Sequence, residues 1–407
     1  MKNRIAAAFQ NTVDFELQWD LDILEALIRH YGIRRSEIQI KCPIRSEREL
    51  IITLLAHMSA GDGSECLADS SVITRSFASR FSYQVTLGGT GIRAAMAIEK
   101  IGYRSTVHAC SLNHYFRCLL PKAVKWISSV PDEGEDFHPH VIVQYPAAAH
   151  IRVNDIDFVT QKPNRVIFAY DPPSMNLEIS SAFAEEVTCA NVLLIASYNI
   201  IKDKQILNKR LQQTLDIIKS LPEKHTVIME DGCFESAQMR RLVLHVLSPH
   251  LDIFSMNEDE LQDRFGRRIN VLDPSEVIKA IQTIYGQIHV PTLICHSAHW
   301  ALAYGKLSPA VQKALESGIC MASTRFRLGD DYGKSDYEQT RKLPDSRKGI
   351  EFCKALSAKV SDKSLFALPG KELSFIAKPF TIGLGDAFAG GMLPQLLPEA
   401  ELENAYI

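Results

Sequence analysis

Short apolar runs alternate with stretches of helical period through the second half of the chain. Asn191 to Ala196 reads NVLLIA, the pattern of a strand covered on both faces. After it, Leu207, Leu211, Leu215 and Ile218 recur on one helical face, and Pro222 stops the helix soon after Leu221. A strand follows at Thr226 to Met229, a helix at Ser236 to Leu247, and a strand at Asp252 to Met256. The pattern continues with a helix through Ile278 to Ile284 and a strand at Thr292 to Cys295. Repeated units of this kind predict a parallel sheet with helices on both faces, and ligands at the carboxyl ends of its strands.

The first half departs from that rhythm. His140 to Tyr145 (HVIVQY) and Arg165 to Tyr170 (RVIFAY) are β-rich and flank a polar stretch without helical period, closing on Asp171-Pro172-Pro173. This predicts a small β-rich lobe inserted into the main domain. Glu16 to His57 is helix-rich and fits either lobe. The expected organisation is one unit over 1–407. A large α/β domain takes mainly 86–138 and 174–407, and a lid is assembled from discontinuous segments near 15–85 and 139–173.

Composition narrows the function classes. The 407 residues suffice for a large domain and a smaller one, and 46% apolar with 23% charged residues is the balance of an ordinary globular protein. A formal net charge of −3, with no basic stripe, argues against a nucleic-acid partner. The apolar run near the N-terminus is too short for a signal-peptide core, and no run is long enough to span a membrane. A cytosolic protein is therefore expected. Nine cysteines without a C-x-x-C pair favour reduced thiols over disulfides or a zinc site. The oligomeric state is not encoded in any pattern we recognise.

Three motifs carry candidate chemistry. Thr381-Ile-Gly-Leu-Gly-Asp-Ala-Phe-Ala-Gly-Gly391 pairs two glycines with an acidic residue and a run of small side chains. Such a turn opening a helix aims free N–H groups at an anion. Asp386 beside it is either the helix N-cap or a general base for phosphoryl transfer, with Gly383 and Gly385 shaping the anion hole. Asn257 and Glu260, just after a strand, are three apart. That spacing fits a capping box, or an amide and a carboxylate holding the water shell of Mg²⁺. Gly88-Gly89-Thr90-Gly91 before a helical stretch is the third, and permits close approach of a ligand or of another chain segment.

In this order the motifs resemble the ADP-dependent glucokinase and phosphofructokinase family of the ribokinase-like superfamily. The resemblance extends over most of the chain: Ala8 to Asp14, Gly61 to Glu65, the turn at Gly88, Asn164 to Ile167, Ser197-Tyr198-Asn199, Glu230, Asn257 with Glu260, Ala322 to Arg325, and G-L-G-D with its lead-in Lys378 to Thr381. It implies a ribokinase-like α/β fold, a Rossmann-type doubly wound sheet with a smaller β-rich lid. It also implies transfer of the terminal phosphoryl of a nucleotide to a sugar, with Mg²⁺. Asp386 would be the catalytic base, with Gly383 and Gly385 at the anion hole. Asp14, Glu65, Gly88 and Gly89 would hold the sugar. Asn257, His296 and Ser297 would meet the nucleotide, and Glu230 and Glu260 the metal.

Two positions depart from the family pattern. Ile228 stands where the family carries the histidine of an H-x-E motif, and Gln10 and Thr12 replace asparagines near Asp14. The ADP preference rests on the resemblance, since ADP and ATP present the same terminal phosphate to the same turn. A glutamate at position 65 points to glucose, because a carboxylate repels a sugar phosphate. Arg75, Arg80, Lys162 and Arg165, in or near the lid, would serve fructose 6-phosphate instead. An ATP-dependent ribokinase-type enzyme and a non-catalytic sugar- or nucleotide-binding regulator are the alternatives.

Overall fold

The computed structural model describes residues 3–134, 136–232, 234, 236–360 and 364–406. A nine-stranded sheet forms its centre. Across the sheet the strands run Val124–Ile127, Ser105–His108, Ile5–Ala8, Val192–Ile195, Thr226–Glu230, Ile253–Asn257, Thr292–His296, Trp300–Gly305 and Leu365–Pro369. All neighbours up to Thr292–His296 pair in parallel, and the last two strands pair antiparallel. Ile5–Ala8 and Val192–Ile195, near the middle of the sheet, are apolar at every position because both faces are covered. Ile5, Ala7, Val192 and Leu194 pack into one core, whereas Ala6, Ala8, Leu193 and Ile195 pack into another on the opposite face.

The expected βα alternation is present, with strand edges within a residue or two of the sequence pattern. The antiparallel pair at one edge is the departure from the expected parallel sheet. The turn from Thr292–His296 into Trp300–Gly305, Ser297 to His299, holds no Gly, Pro or Asn; the Ser297 hydroxyl instead accepts from the N–H groups of His299 and Trp300, both at 3.1 Å. Among the described residues no helix is long and apolar enough to cross a membrane.

A second, five-stranded sheet runs Ser64–Leu67, Asn164–Ala169, His140–Tyr145, Thr12–Leu17 and Tyr83–Gly88. The polar stretch between two of these strands forms a separate hairpin, His150–Val153 with Ile156–Val159. The helix-rich Glu16–His57 segment supplies Glu47–Ala60, which packs on this second sheet. Strand periodicity gives the sheet two unlike faces. Val13, Phe15, Leu17, Val141, Val143, Val166 and Phe168 enter the core. Asp14, Glu65, His140, Ile142, Arg165 and Ile167 instead face a cleft toward the large sheet.

The chain crosses between the two sheets four times, and the shortest crossing runs from Ile5–Ala8, in the middle of the large sheet, through Phe9 to Asn11 into Thr12–Leu17 of the second sheet. Asn11 is buried and fully bonded there. Its Oδ1 accepts from the N–H groups of Cys110 (2.8 Å) and Ser111 (3.1 Å), and its Nδ2 donates to the Ser111 carbonyl (2.7 Å).

Candidate active site

The cleft between the sheets has a volume of about 940 Å³ and follows the carboxyl ends of the large sheet's strands. The G-L-G-D turn stands on one wall. Gly383 adopts φ +67° and caps the helix Leu384–Met392, so the sequence needs glycine there. Asp386 is the third residue of that helix rather than its N-cap, which removes the capping explanation offered by the sequence. Its side chain keeps 23% exposure toward the cleft. The small residues further along have their own cause. A Cβ on Gly390 would press on Ala94, and one on Gly391 on Met321 and Gly318, so the helix is wedged between two neighbours. The N–H groups of its first turn lack intrahelical partners and open on the cleft.

Asp14 lies on the cleft face of the second sheet. Its Oδ1 accepts from Thr12 Oγ1 (2.7 Å) and its Oδ2 from Arg93 Nη2 (2.8 Å). Gly88 closes the adjacent strand, and a Cβ there would run into Thr12 Oγ1 and both Asp14 oxygens. Its role is thus to leave room for the carboxylate, whereas Gly89, with φ +92°, forms the cleft wall.

Glu65 also reaches the cleft, with its side chain about a third (35%) exposed. Enclosure by the walls pushes its pKa up, partly countered by His140. His140 is buried; burial works against its charge, but the bond from Nε2 to Asp171 Oδ2 (3.0 Å) and the nearby carboxylates win, raising it to about 9. Asp171 is held below its ordinary range: burial opposes this, and the bonds from His140 and Ser174 outweigh burial. Sequence reasoning missed His140, Asp171 and Arg93, although an arginine amid the small apolar residues GIRAAMA is an incongruity that flags itself.

At the other end of the cleft stand Glu230, Asn257, Glu260, His296 and Ser297. The capping box predicted at Asn257 is present. Asn257 Oδ1 accepts from the N–H groups of Asp259 (2.8 Å) and Glu260 (3.0 Å), and Glu260 Oε2 accepts from the Asn257 N–H (2.9 Å). Glu260 is nonetheless buried beside Asp231 and Glu230; burial first, then these two charges, raise its pKa well above the usual carboxylate range. His296 Nε2 meets Glu230 Oε1 at 3.1 Å, and its ring stacks on Phe388 at 4.2 Å. An imidazole therefore reaches Glu230 from two strands away, while Ile228 is sealed in the core.

Of the lid cations, Arg165 alone lines the cleft. Arg75 lies over the Phe137 ring and donates to its carbonyl, Arg80 pairs with Glu47 at 3.5 Å, and Lys162 is exposed outside the cleft.

A family model for the ADP-specific phosphofructokinase/glucokinase conserved region matches residues 3–326. The chain belongs to this family. Its members are ADP-dependent sugar kinases, and the matched span holds every motif named above except G-L-G-D. Similar solved structures extend the likeness past that boundary. A phosphofructokinase from Pyrococcus horikoshii with AMP is 16% identical with a TM-score of 0.72, over 96% of this chain and 97% of that one. An ADP-dependent kinase in complex with fructose 6-phosphate and ADPβS is 13% identical with a TM-score of 0.76, over 97% and 94%. A last common ancestor of ADP-dependent phosphofructokinases from Methanosarcinales is 14% identical with a TM-score of 0.71, over 97% and 94%. At these identities the likeness establishes the fold, which is that of the family's sugar kinases.

Proposed function

We propose that the chain transfers the terminal phosphoryl group of ADP to a hydroxyl of an uncharged hexose, glucose being the first to try, and releases AMP. The observation that carries the reading is the meeting of two walls. Asp386 and the open helix N-terminus at Gly383 stand on one, and Asp14 and Glu65 on the other. A sugar held by Asp14 and Glu65 presents a hydroxyl to Asp386, which takes its proton as the oxygen attacks the phosphorus. The bond to the AMP oxygen breaks as the new P–O bond forms, and the first-turn N–H groups receive the phosphoryl oxygens.

The residues at the far end fit Mg²⁺. Glu230 Oε2 is buried without a hydrogen-bond partner, and Glu260 is crowded by two further carboxylates. Among the described residues no three His, Cys, Asp or Glu side chains gather to ligate an ion directly. An ion that keeps several of its waters suits such a site, with Glu230, Glu260 and Asn257 holding the waters. Bound there, Mg²⁺ supplies countercharge to the donor's phosphates.

The uncharged acceptor is favoured by local charge. Asp14, Glu16, Glu65 and Asp171 gather at this end of the cleft, and Arg93 and His140 among them are engaged by those carboxylates. Arg165, without an ion pair among the described residues, favours fructose 6-phosphate as the second reading. Purified protein with Mg²⁺, ADP or ATP, and glucose or fructose 6-phosphate tests all of this at once. Sugar-dependent AMP release from ADP with glucose is expected. Transfer from ATP alone would overturn the donor, AMP release with fructose 6-phosphate alone would overturn the acceptor, and no transfer at all would overturn the reading.

A further inference from the structure

Arg93 is the fourth residue of the helix Thr90–Glu99, which follows the Gly88-Gly89 turn, and it is only 6% exposed. One guanidinium there faces three carboxylates from two elements, Asp14 and Glu16 on the strand Thr12–Leu17 and Asp386 on the helix Leu384–Met392. Nη2 donates to Asp14 Oδ2 (2.8 Å) and lies 3.3 Å from Glu16 Oε1; Nε faces Asp386 Oδ2 at 3.9 Å. The remaining nitrogen, Nη1, is buried without a partner and sits against Gly383, where an added Cβ would lie 3.0 Å from it. Burial works to lower the pKa of Arg93, and its three acidic neighbours outweigh burial, so the cation persists. A buried cation in this geometry is not explained by folding alone, since apolar side chains commonly fill such space at no loss of stability.

We infer that Arg93 is a positioning residue for the transfer: it fixes the acceptor-holding Asp14 and the base Asp386 at a set separation on either side of one rigid fork. The inference rests on the sugar-kinase reading above and deepens it. A planar guanidinium can hold two carboxylates in register, whereas an ammonium has no rigid fork to set their separation. Near-attack geometry is sensitive to such spacing, because misplacement by about 1 Å can cost about 10²-fold in rate. Arg93 acts through Asp14 on sugar affinity and through Asp386 on turnover; among the described residues no hydrogen bond or ion pair joins it to Glu230, Asn257, Glu260, His296 or Ser297 at the other end of the cleft.

The test uses Arg93→Ala and Arg93→Lys in the full chain, with thermal melting, steady-state kinetics, and sugar and ADP binding by calorimetry. Arg93→Lys keeps a buried cation and is the variant expected to stay folded. It should lose about 10-fold or more in kcat and weaken sugar binding, with ADP affinity within about twofold of the parent. Folded Arg93→Ala should lose about 10²-fold or more, and millimolar guanidinium should restore part of its turnover while leaving Asp386→Asn unaffected. Arg93→Lys with turnover within about threefold of the parent overturns the inference, as does equal weakening of sugar and ADP, which marks a purely structural role. A parent chain that transfers nothing from ADP defeats the kinase reading and this role together, and is told apart by the parent's own assay.

Discussion

Asparagine at position 386 would keep the size of the aspartate and lose its capacity to take a proton. Because Gly383 occupies the cap and Asp386 the third helical position, no capping bond is at stake in that exchange. Asp386→Asn is therefore expected to lower kcat by about 10²–10⁴-fold with ADP affinity almost unchanged, as read by steady-state kinetics and calorimetry. Retention of more than about a third of the turnover would remove Asp386 from the base's role. The residues legible in the sequence were those with a backbone signature: glycines that force a turn, and acids beside them. His140 and Asp171 carry no such mark, and Arg93 stands out among small apolar residues without showing what it pairs with. Their importance comes from pairings over 79 and 31 positions of chain, which no local pattern encodes.

At the scale of elements, Asn257 and Glu260 show one segment satisfying two demands. The capping box and the position at the cleft coexist, so the two sequence readings of this spacing were not exclusive. Glu260→Gln preserves a side chain able to cap, and Glu230→Gln removes one carboxylate from the crowded group. Each is expected to raise the Mg²⁺ concentration for half-maximal rate by about tenfold or more, measured by metal titration of the initial rate. An unchanged Mg²⁺ response with a lowered melting temperature would reduce Glu260 to its cap. The parallel strands from Val192–Ile195 onward were readable because burial on both faces makes them short, mainly apolar runs. The edge strand Trp300–Gly305 was not, because the turn into it from Thr292–His296 holds no Gly, Pro or Asn and is closed by the Ser297 hydroxyl instead.

For the whole molecule, the second sheet lies across the cleft from the G-L-G-D turn, and a hydrogen bond from Thr381 Oγ1 to Gln144 Oε1 (2.9 Å) ties the two. Closure of this sheet over bound sugar, which excludes water from the transfer, is expected to lower the radius of gyration in solution scattering when saturating sugar and nucleotide are added. Superimposable profiles with and without ligands would count against it. The form of that motion is constrained at Phe9 to Asn11. Three residues leave little slack between two sheets, and Asn11 is bonded at both ends of its amide. Such a joint permits a swing but resists a slide. In a swing, travel grows with distance from the pivot. Asp14 sits three residues past the joint and would travel least, whereas Glu65 is carried on the strand three places across, about 14 Å out at the usual strand spacing. A sugar would thus meet a stationary contact first and a travelling one second, so that Glu65 inspects a guest that Asp14 has already seated.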